Sequence, residues 1–256
     1  MDKSKLITVK LNELFEKYID IKIEKISLEN DTINIFIDNK KYVFFSNFDL
    51  NMDENYIPIY YWRNERRYIE FKNIINQKLV ENPVGMRIKN IEDKNTNIIK
   101  NLFIKEIDLI EWTFEKKIVG VFASKGNEEY YNVIFDTENN IKINSEIGLT
   151  NTSKDISLHE VITQKGIILD TPVDTQIKHS SIYVYNNNKE TEFNDVDFEL
   201  YGLSYKEIGQ VRFIFNYFLN GLNINDFIKK QNRYNKIIDA IKKSSIKNKK
   251  IFLSEV

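Results

Sequence analysis

The sequence is informative first through the residues that it lacks. It contains no cysteine, which excludes disulfide bonds, thiolate nucleophiles and metal sites with cysteine ligands. Because the chain has only two histidines, a zinc site of the usual His/Cys type is nearly excluded. Only eight glycines and three prolines are present, and neither G-x-x-x-x-G-K-[ST] nor G-x-G-x-x-G occurs. We therefore expect no NTPase or dinucleotide loop, and no metal or cofactor.

Net charge and long apolar runs are also lacking. The 37 basic and 38 acidic residues leave a net charge of −1, so no overall field favours nucleic acid or a membrane surface. No run of about twenty apolar residues exists that could cross a bilayer, and the N-terminus does not resemble a signal peptide. Hydrophobic residues make up 42% of the chain, enough for a folded core. These features predict a cytoplasmic protein with no membrane partner.

The spacing of apolar residues changes period along the chain. Residues 11–18 follow helical spacing, which predicts an N-terminal helix. Isoleucines then alternate with polar residues over 33–37, which is typical of a strand with one buried face. Two further runs, 118–122 and 130–135, flank a Gly-Asn turn and predict a hairpin. Residues 68–71 are interpreted as another strand.

The last part of the chain differs in period from the rest, because its apolar spacing is helical from Ser204 to about Lys243. The sequence therefore predicts an α+β protein. Residues 1–190 would form a β-rich body with an antiparallel meander and hairpins, and residues 196–248 a helical module with a basic tail.

The first helix of that module is apolar on two sides. Phe213 and Tyr217 lie four residues apart, opposite the broad apolar face that Val211 belongs to. One interpretation is that both aromatic side chains pack on the β-rich body of the same chain. The alternative is an exposed aromatic patch that binds a partner.

Two Gly-Leu steps punctuate this region. Gly202-Leu203-Ser204 is followed by Ile208, Val211 and Arg212, and Gly221-Leu222-Asn223-Ile224 comes next. This pattern resembles a short helical repeat of proteins from low-GC bacteria and their mobile elements. Glu207, Asn223 and Lys236 depart from the residues usual in the repeat. The resemblance implies a mobile-element or phage context, which the isoleucine- and asparagine-rich composition also fits, and it implies no reaction.

Basic residues are concentrated after the second Gly-Leu step. Residues 229–250 contain a single acidic residue, Asp239, and their cations include Lys229, Lys230, Arg233, Lys236, Lys242 and Lys243. This local excess predicts binding to nucleic-acid phosphates or to an acidic partner. The alternative is a solubilising, frayed chain end.

One acidic pattern suggests metal-dependent catalysis. Glu70-Phe71-Lys72 on the predicted strand, with Asp53 upstream, resembles the active-site spacing of the PD-(D/E)xK nucleases. That resemblance implies that Asp53 and Glu70 hold Mg²⁺ and that Lys72 steadies the attacking water. Charged residues that alternate on a solvated strand face produce the same string.

The histidines offer a second catalytic pattern. Asp170 and Asp174 lie near His159 in sequence, as do Ser180 and Ser181, so a Ser-His-Asp arrangement is open. No G-x-S-x-G elbow supports it. A histidine with a structural role is the commoner case.

These observations lead to one functional hypothesis and two alternatives. The hypothesis is a non-enzymatic phage or mobile-element protein that binds a protein or a nucleoprotein complex, and specifically an inhibitor of a defence nuclease such as a CRISPR–Cas effector. The first alternative is the Mg²⁺-dependent nuclease that uses Asp53, Glu70 and Lys72. The second is a structural phage protein.

Overall fold

The computed structural model describes residues 3–19, 21–29, 32–48, 56–151, 155–170, 181–186, 189–194, 200, 202–221 and 224–255. The helices in these ranges are α1 Lys3–Tyr18, α2 Arg66–Asn76, α3 Ile99–Phe114, α4 Tyr205–Asn220 and α5 Ile224–Lys247. The strands are β1 Lys25–Glu29, β2 Thr32–Ile37, β3 Lys40–Phe45, β4 Tyr56–Pro58, β5 Pro83–Asp93, β6 Ile118–Lys125, β7 Tyr130–Thr137, β8 Lys142–Thr150, β9 Ile156–Thr163, β10 Gly166–Leu169, β11 Ser181–Asn186, β12 Lys189–Asn194 and β13 Ile251–Phe252. The predicted α+β class, with a β-rich body and C-terminal helices, is confirmed.

The chain forms two compact units, and both are discontinuous in sequence. Unit 1 consists of Met1–Glu65 and Val196–Lys229, and unit 2 of Arg66–Asp195 and Lys230–Val256. The predicted division into residues 1–190 and 196–248 differs from these two units. It separates the two C-terminal helices from everything before them, whereas the structure groups α4 with the first sheet and most of α5 with unit 2.

Unit 1 contains a four-stranded sheet in the order β1-β2-β3-β4. Strands β1 to β3 form the predicted antiparallel meander, and β4 pairs with β3 in parallel. Asp38 and Asn39 turn the chain between β2 and β3 with positive φ angles of 48° and 59°, a conformation that Asp and Asn tolerate better than most residues. The meander is thus explained by local sequence.

Helix α4 is defined at both ends and packs within unit 1. Ser204 caps its N-terminus in a capping box with Glu207, and Gly221 ends it in the left-handed conformation. Phe15 of α1 contacts the ring of Phe218 at 5.3 Å. An added Cβ at Gly209 would come within 2.5 Å of a backbone oxygen, so the close approach of α4 to its neighbour requires glycine there.

Unit 2 contains a nine-stranded mixed sheet in the order β12-β11-β10-β9-β5-β8-β7-β6-β13. Every neighbouring pair is antiparallel except the central β5–β8 pair. Strands β6 and β7 form the predicted hairpin. Along each strand, successive side chains point to opposite faces of this sheet.

Helices of unit 2 cover one of these faces. Phe103 of α3 meets Tyr131 of β7 with ring centroids 5.2 Å apart, and Tyr68 of α2 meets the ring of His159 on β9 at 5.1 Å. Ser244 near the end of α5 accepts a hydrogen bond from the backbone N–H of Ala123 at 2.9 Å. We call this side of the sheet the helix face and the opposite side the open face. Among the described residues, no helix is long and apolar enough to cross a membrane. The cytoplasmic location stays a prediction.

Candidate functional site

The structure does not form the predicted nuclease site. Residues 66–76 are helical, because their apolar residues recur at helical rather than strand spacing. Glu70 pairs with Arg66 at 2.5 Å, whereas Lys72 pairs with Glu115 at 2.9 Å. Residues two apart on a helix point in different directions, so Glu70 and Lys72 cannot share one metal site as they would on a strand. Asp53 lies outside the described residues.

Phe213 and Tyr217 contact other aromatic side chains of unit 1. Phe213 is 2% exposed, and its ring meets Phe227 of α5 at 5.8 Å. The ring of Tyr217 lies 5.3 Å from Phe44 and 6.3 Å from Tyr42, both on β3. Tyr217 thus packs on the sheet of its own chain, as the first interpretation holds, and Phe213 packs on α5.

The predicted basic tail is mostly helix. Helix α5 continues to Lys247, and Ser244 donates a hydrogen bond to the carbonyl of Lys249 at 2.6 Å. Within it, Arg233 is paired with Glu111 at 2.7 Å and donates to the carbonyl of Ile118 at 2.7 Å. The cations of this group that point to solvent include Lys229, Lys236, Lys242 and Lys243, and Lys230 is partly exposed. The segment is therefore not a frayed end; whether it binds nucleic acid stays a prediction.

A buried acid–histidine–acid arrangement lies on the helix face of unit 2. His159 points inward from β9, together with Val161 and Thr163, at every second position. Its Nε2 lies 3.1 Å from Oε2 of Glu106 on α3, and its Nδ1 lies 2.9 Å from Oδ2 of Asp170, just after β10. None of the three residues is more than 3% exposed.

This geometry requires a proton on each ring nitrogen. A neutral imidazole has one donor and one acceptor, whereas ionised carboxylates only accept. Burial by itself would lower the pKa of His159, but the charges of Glu106 and Asp170 and their hydrogen bonds raise it above its ordinary value. Burial, the largest single effect, would raise the pKa of each carboxyl. The charge and hydrogen bonds of His159 lower both pKa values, together with Lys105 and Asn90 at Glu106 and with Arg67 at Asp170, and the combined effect outweighs burial. The three groups are therefore an imidazolium between two carboxylates.

Further side chains complete what we call the His159 cluster: Arg67, Asn90, Glu106, His159 and Asp170. Asn90 of β5 donates to Glu106 at 2.7 Å, and Arg67 of α2 donates to Asp170 at 3.3 Å. The backbone N–H of His159 also donates to Asp170 at 2.5 Å. Buried charges in this cluster are thus both paired and hydrogen-bonded, which is the condition under which they are tolerated.

Next to the cluster lies a group that we call the rim: Arg67, Tyr68, Glu92, Lys105 and Ser157. Tyr68 and Lys105 are buried, and the other three residues are partly exposed. Lys105 of α3 donates to Oγ of Ser157 at 3.3 Å and has Oε1 of Glu92 at 4.0 Å. The hydroxyls of Tyr68 and Ser157 are 3.4 Å apart. Arg67 joins the two groups, because it donates to both Asp170 and the carbonyl of Ser157. The rim therefore combines ammonium, hydroxyl and carboxylate groups on rigid elements.

Sequence reasoning found only part of this site. It considered Asp170 near His159, and the structure brings these two residues together. Asp174 and Ser180 lie outside the described residues, as does the Ser181 side chain, so the serine of a triad is not placed. Glu106 and Lys105 were missed. Their signal is a Lys-Glu pair inside the apolar run of α3, where charged residues need partners.

The His159 cluster is not arranged as a metal site. Each ring nitrogen of His159 is already used by one carboxylate. Among the residues that the structure describes, no group of three or more His, Asp or Glu side chains is placed to hold a metal ion.

The fold is similar to that of several solved structures. No protein-family model matches the sequence, and no curated protein matches it. An oxidoreductase from Agrobacterium radiobacter in complex with NAD+, L-tartaric acid and magnesium matches with a TM-score of 0.63 and 11% identity over 78% of this chain and 65% of that one. Scyllo-inositol dehydrogenase from Lactobacillus casei, with bound NAD(H) and scyllo-inositol, matches with a TM-score of 0.57 and 18% identity over 78% and 65%. A super-repressor mutant of Gal80p from Saccharomyces cerevisiae matches with a TM-score of 0.61 and 11% identity over 77% and 65%.

At 11–18% identity, these likenesses show a shared fold and no more. The chain spans less than two thirds of the length of each of these structures. The predicted phage or mobile-element inhibitor of a defence nuclease is contradicted by this finding, since the structural neighbours are dehydrogenases and related proteins. The structural phage alternative is contradicted in the same way, and the nuclease alternative lacks its predicted strand, because Glu70 and Lys72 lie on helix α2. None of the comparisons bears on the Gly-Leu repeat or on a protein or nucleoprotein partner, and both stay predictions.

Proposed function

We propose that unit 2 is the ligand-binding part of an oxidoreductase-type protein and that it holds a small polyol or hydroxy acid at the rim. The observation that carries this proposal is the position of the Lys105 ammonium. Lys105 is 4% exposed, donates a hydrogen bond to Ser157 and lies 4.0 Å from the carboxylate of Glu92. An ammonium has three N–H donors, so it can also donate to a ligand.

The chemistry of the rim suits hydroxyl groups. A hydroxyl both donates and accepts, and the rim offers a donor in Lys105, an acceptor in Glu92 and two hydroxyls in Tyr68 and Ser157. The structural neighbours named above hold scyllo-inositol and L-tartaric acid, which are both small and rich in hydroxyls. A ligand of this class would match the rim group by group.

The His159 cluster would hold the rim in place. Arg67 connects Asp170 of the cluster to Ser157 of the rim, and Lys105 is the residue before Glu106 on α3. Side chains fixed by a hydrogen-bonded and charge-balanced support lose little freedom when a ligand binds, so they bind it more tightly.

A dinucleotide does not fit the residues present. The structures from Agrobacterium radiobacter and Lactobacillus casei named above hold NAD, but this sequence has no G-x-G-x-x-G motif. In unit 1, β1 and β2 pair as an antiparallel hairpin, whereas a dinucleotide fold places a helix between two parallel strands. We therefore assign no hydride step to this chain, and the proposal covers ligand binding alone.

Isothermal titration calorimetry on the full chain tests the proposal, with scyllo-inositol and L-tartrate as probes. We expect at least one of them to bind. Lys105→Met and Ser157→Ala should each raise its Kd at least tenfold, a loss of about 1.4 kcal/mol. Lys242→Met, which removes an exposed cation of α5, is the matched control and should leave the Kd unchanged.

Two results would contradict this assignment. One is the absence of binding by both probes at millimolar concentration. The other is an unchanged Kd in the rim variants Lys105→Met and Ser157→Ala. Ser157→Ala keeps every charge of the site, so its effect separates lost ligand contacts from damage to the buried cluster.

A further inference from the structure

A groove of about 300 Å³ lies in unit 1, where the first turns of α4 meet one end of the antiparallel meander. We call it the α4 groove. It is lined by residues of β1 and β2, by the residue that follows β3 and by two residues of α4, namely Leu28, Glu29, Thr32, Ile33, Ser46, Lys206 and Gln210. This volume is at the lower end of the range for ligand pockets, so the groove suits a small molecule.

The floor of the α4 groove is apolar, and strand register explains why. Ile33 of β2 is paired with Leu28 of β1 and with Phe44 of β3, and cross-strand partners share one face of a sheet. This face packs on α4, because the ring of Phe44 lies 5.3 Å from that of Tyr217. Leu28 and Ile33 therefore form an apolar floor on the side of the sheet that faces α4.

A buried amide fixes a hydroxyl in the α4 groove. Gln210 lies two turns before Tyr217 on the same side of α4, and it is 9% exposed. Its Nε2 donates to Oγ of Ser46 at 3.2 Å. Because this hydroxyl accepts from Gln210, its own hydrogen is available to a ligand. The groove thus contains a hydroxyl donor that is held in place by a buried side chain.

Lys206 adds a cation to the same wall of the groove. It lies one turn before Gln210 on the same side of α4. Among the described residues its ammonium forms no ion pair, and it lies 5.7 Å from the ring centroid of Tyr61. The first turn of a helix also carries the positive end of the helix dipole. The carboxylate of Glu29 accepts from Ser27 at 3.1 Å, on the opposite face of β1 from the floor. These features favour an anion in the groove.

We propose that the α4 groove binds a small monocarboxylate with a short aliphatic chain. Lys206 and Ser46 donate to the carboxylate, and Leu28 and Ile33 contact the chain. A single cation matches one negative charge, which favours a carboxylate over a phosphate group. This site is separate from the rim, because its lining residues belong to unit 1 and the rim belongs to unit 2.

Isothermal titration calorimetry on the full chain, with 4-methylpentanoate as the probe, tests this proposal. We expect binding at millimolar concentration or below. Lys206→Met should raise the Kd about tenfold or more, because it removes a charged donor. Gln210→Glu should have an effect of the same size, because it places a second carboxylate beside the bound one. Lys40→Met is the matched control, since Lys40 is an exposed lysine at the other end of the meander, and it should leave the Kd unchanged.

A neutral probe gives a test that does not depend on any variant folding. 4-Methylpentanamide has the shape of 4-methylpentanoate without its charge, and it should bind the wild type about tenfold more weakly or less. Equal binding of the acid and the amide would overturn the proposal, as would the absence of binding by the acid at millimolar concentration.

The rim also contains a cation, so a further variant separates the two sites. Lys105→Met should leave the Kd of 4-methylpentanoate unchanged, because Lys105 lies in unit 2. If Lys105→Met weakens binding and Lys206→Met does not, the carboxylate binds at the rim and the assignment to the α4 groove is wrong.

Discussion

The pKa of His159 provides the sharpest test of the His159 cluster. Each ring nitrogen of His159 lies at hydrogen-bond distance from a carboxylate, and both carboxylates raise the pKa of His159 against the effect of burial. Glu106→Gln removes one of the two charges but keeps the size and shape of the side chain. An opposite charge at hydrogen-bond distance moves a pKa by about 1–3 units, so the pKa of His159 should fall by about that amount.

The same shift sets the change in stability. One pKa unit corresponds to about 1.4 kcal/mol, so Glu106→Gln should lower the free energy of unfolding near neutral pH by about 1.5–4 kcal/mol. A raised histidine pKa stabilises the fold fully below the unfolded value near 6.5, and this contribution is lost as pH rises through the folded pKa. The lowered pKa values of Glu106 and Asp170 add stability above about pH 4 that is lost as pH falls.

Nuclear magnetic resonance of the imidazole groups measures this directly. The chain has two histidines, so the spectrum contains two sets of imidazole signals, and His179→Gln assigns them. In the wild type, the free energy of unfolding from urea titration should fall by about 1.4 kcal/mol per pH unit above pH 6.5, over the range in which folded His159 keeps its proton. A wild-type His159 that titrates at or below 6.5, or a pKa that Glu106→Gln leaves unchanged, would refute the reasoning.

Two further predictions concern residues that the sequence marked as partner-binding candidates. Arg233→Ala should destabilise the protein by about 2 kcal/mol in urea unfolding, because it removes the hydrogen bonds to Glu111 and to the carbonyl of Ile118, while exposed Lys236→Ala should change stability by less than about 0.5 kcal/mol. Equal effects of the two changes would show that the Arg233 pair contributes nothing. The double variant Phe213→Ser/Tyr217→Ser should cost about 4 kcal/mol or more, since both rings pack inside unit 1, and an unchanged melting temperature would contradict that packing.

Local patterns in the sequence predict much of the secondary structure. Alternating isoleucines predict β2, the Gly-Asn turn predicts the β6–β7 hairpin, and helical apolar spacing from Ser204 predicts α4. Each of these patterns depends on a short stretch of chain, either on its apolar spacing or on its turn residues. Residues 68–71 show the limit of this reasoning, because four residues fit a strand and only the longer apolar spacing up to Ile75 shows helix α2.

The functional hypothesis was wrong for a related reason. It rested on composition and on a repeat of about two helical steps, which describe a small part of the chain and nothing of its overall topology. The similarity in fold to the structures compared above is visible only in three dimensions, since the sequence identity to them is 11–18%. At such identity a fold is kept by its pattern of buried positions, which many sequences satisfy.

By itself, then, the sequence determined the local elements, the α+β class and the absence of cysteine chemistry and of glycine-rich phosphate loops, because these depend on residues close together in the chain. Tertiary structure alone decided which charges meet. Glu106 and His159 are 53 residues apart, and Arg67 and Asp170 are 103 apart, yet each pair is within hydrogen-bond distance. The antiparallel pairing of β9 with β5 and with β10 brings distant strands together, and so places Asn90, His159 and Asp170 in one cluster.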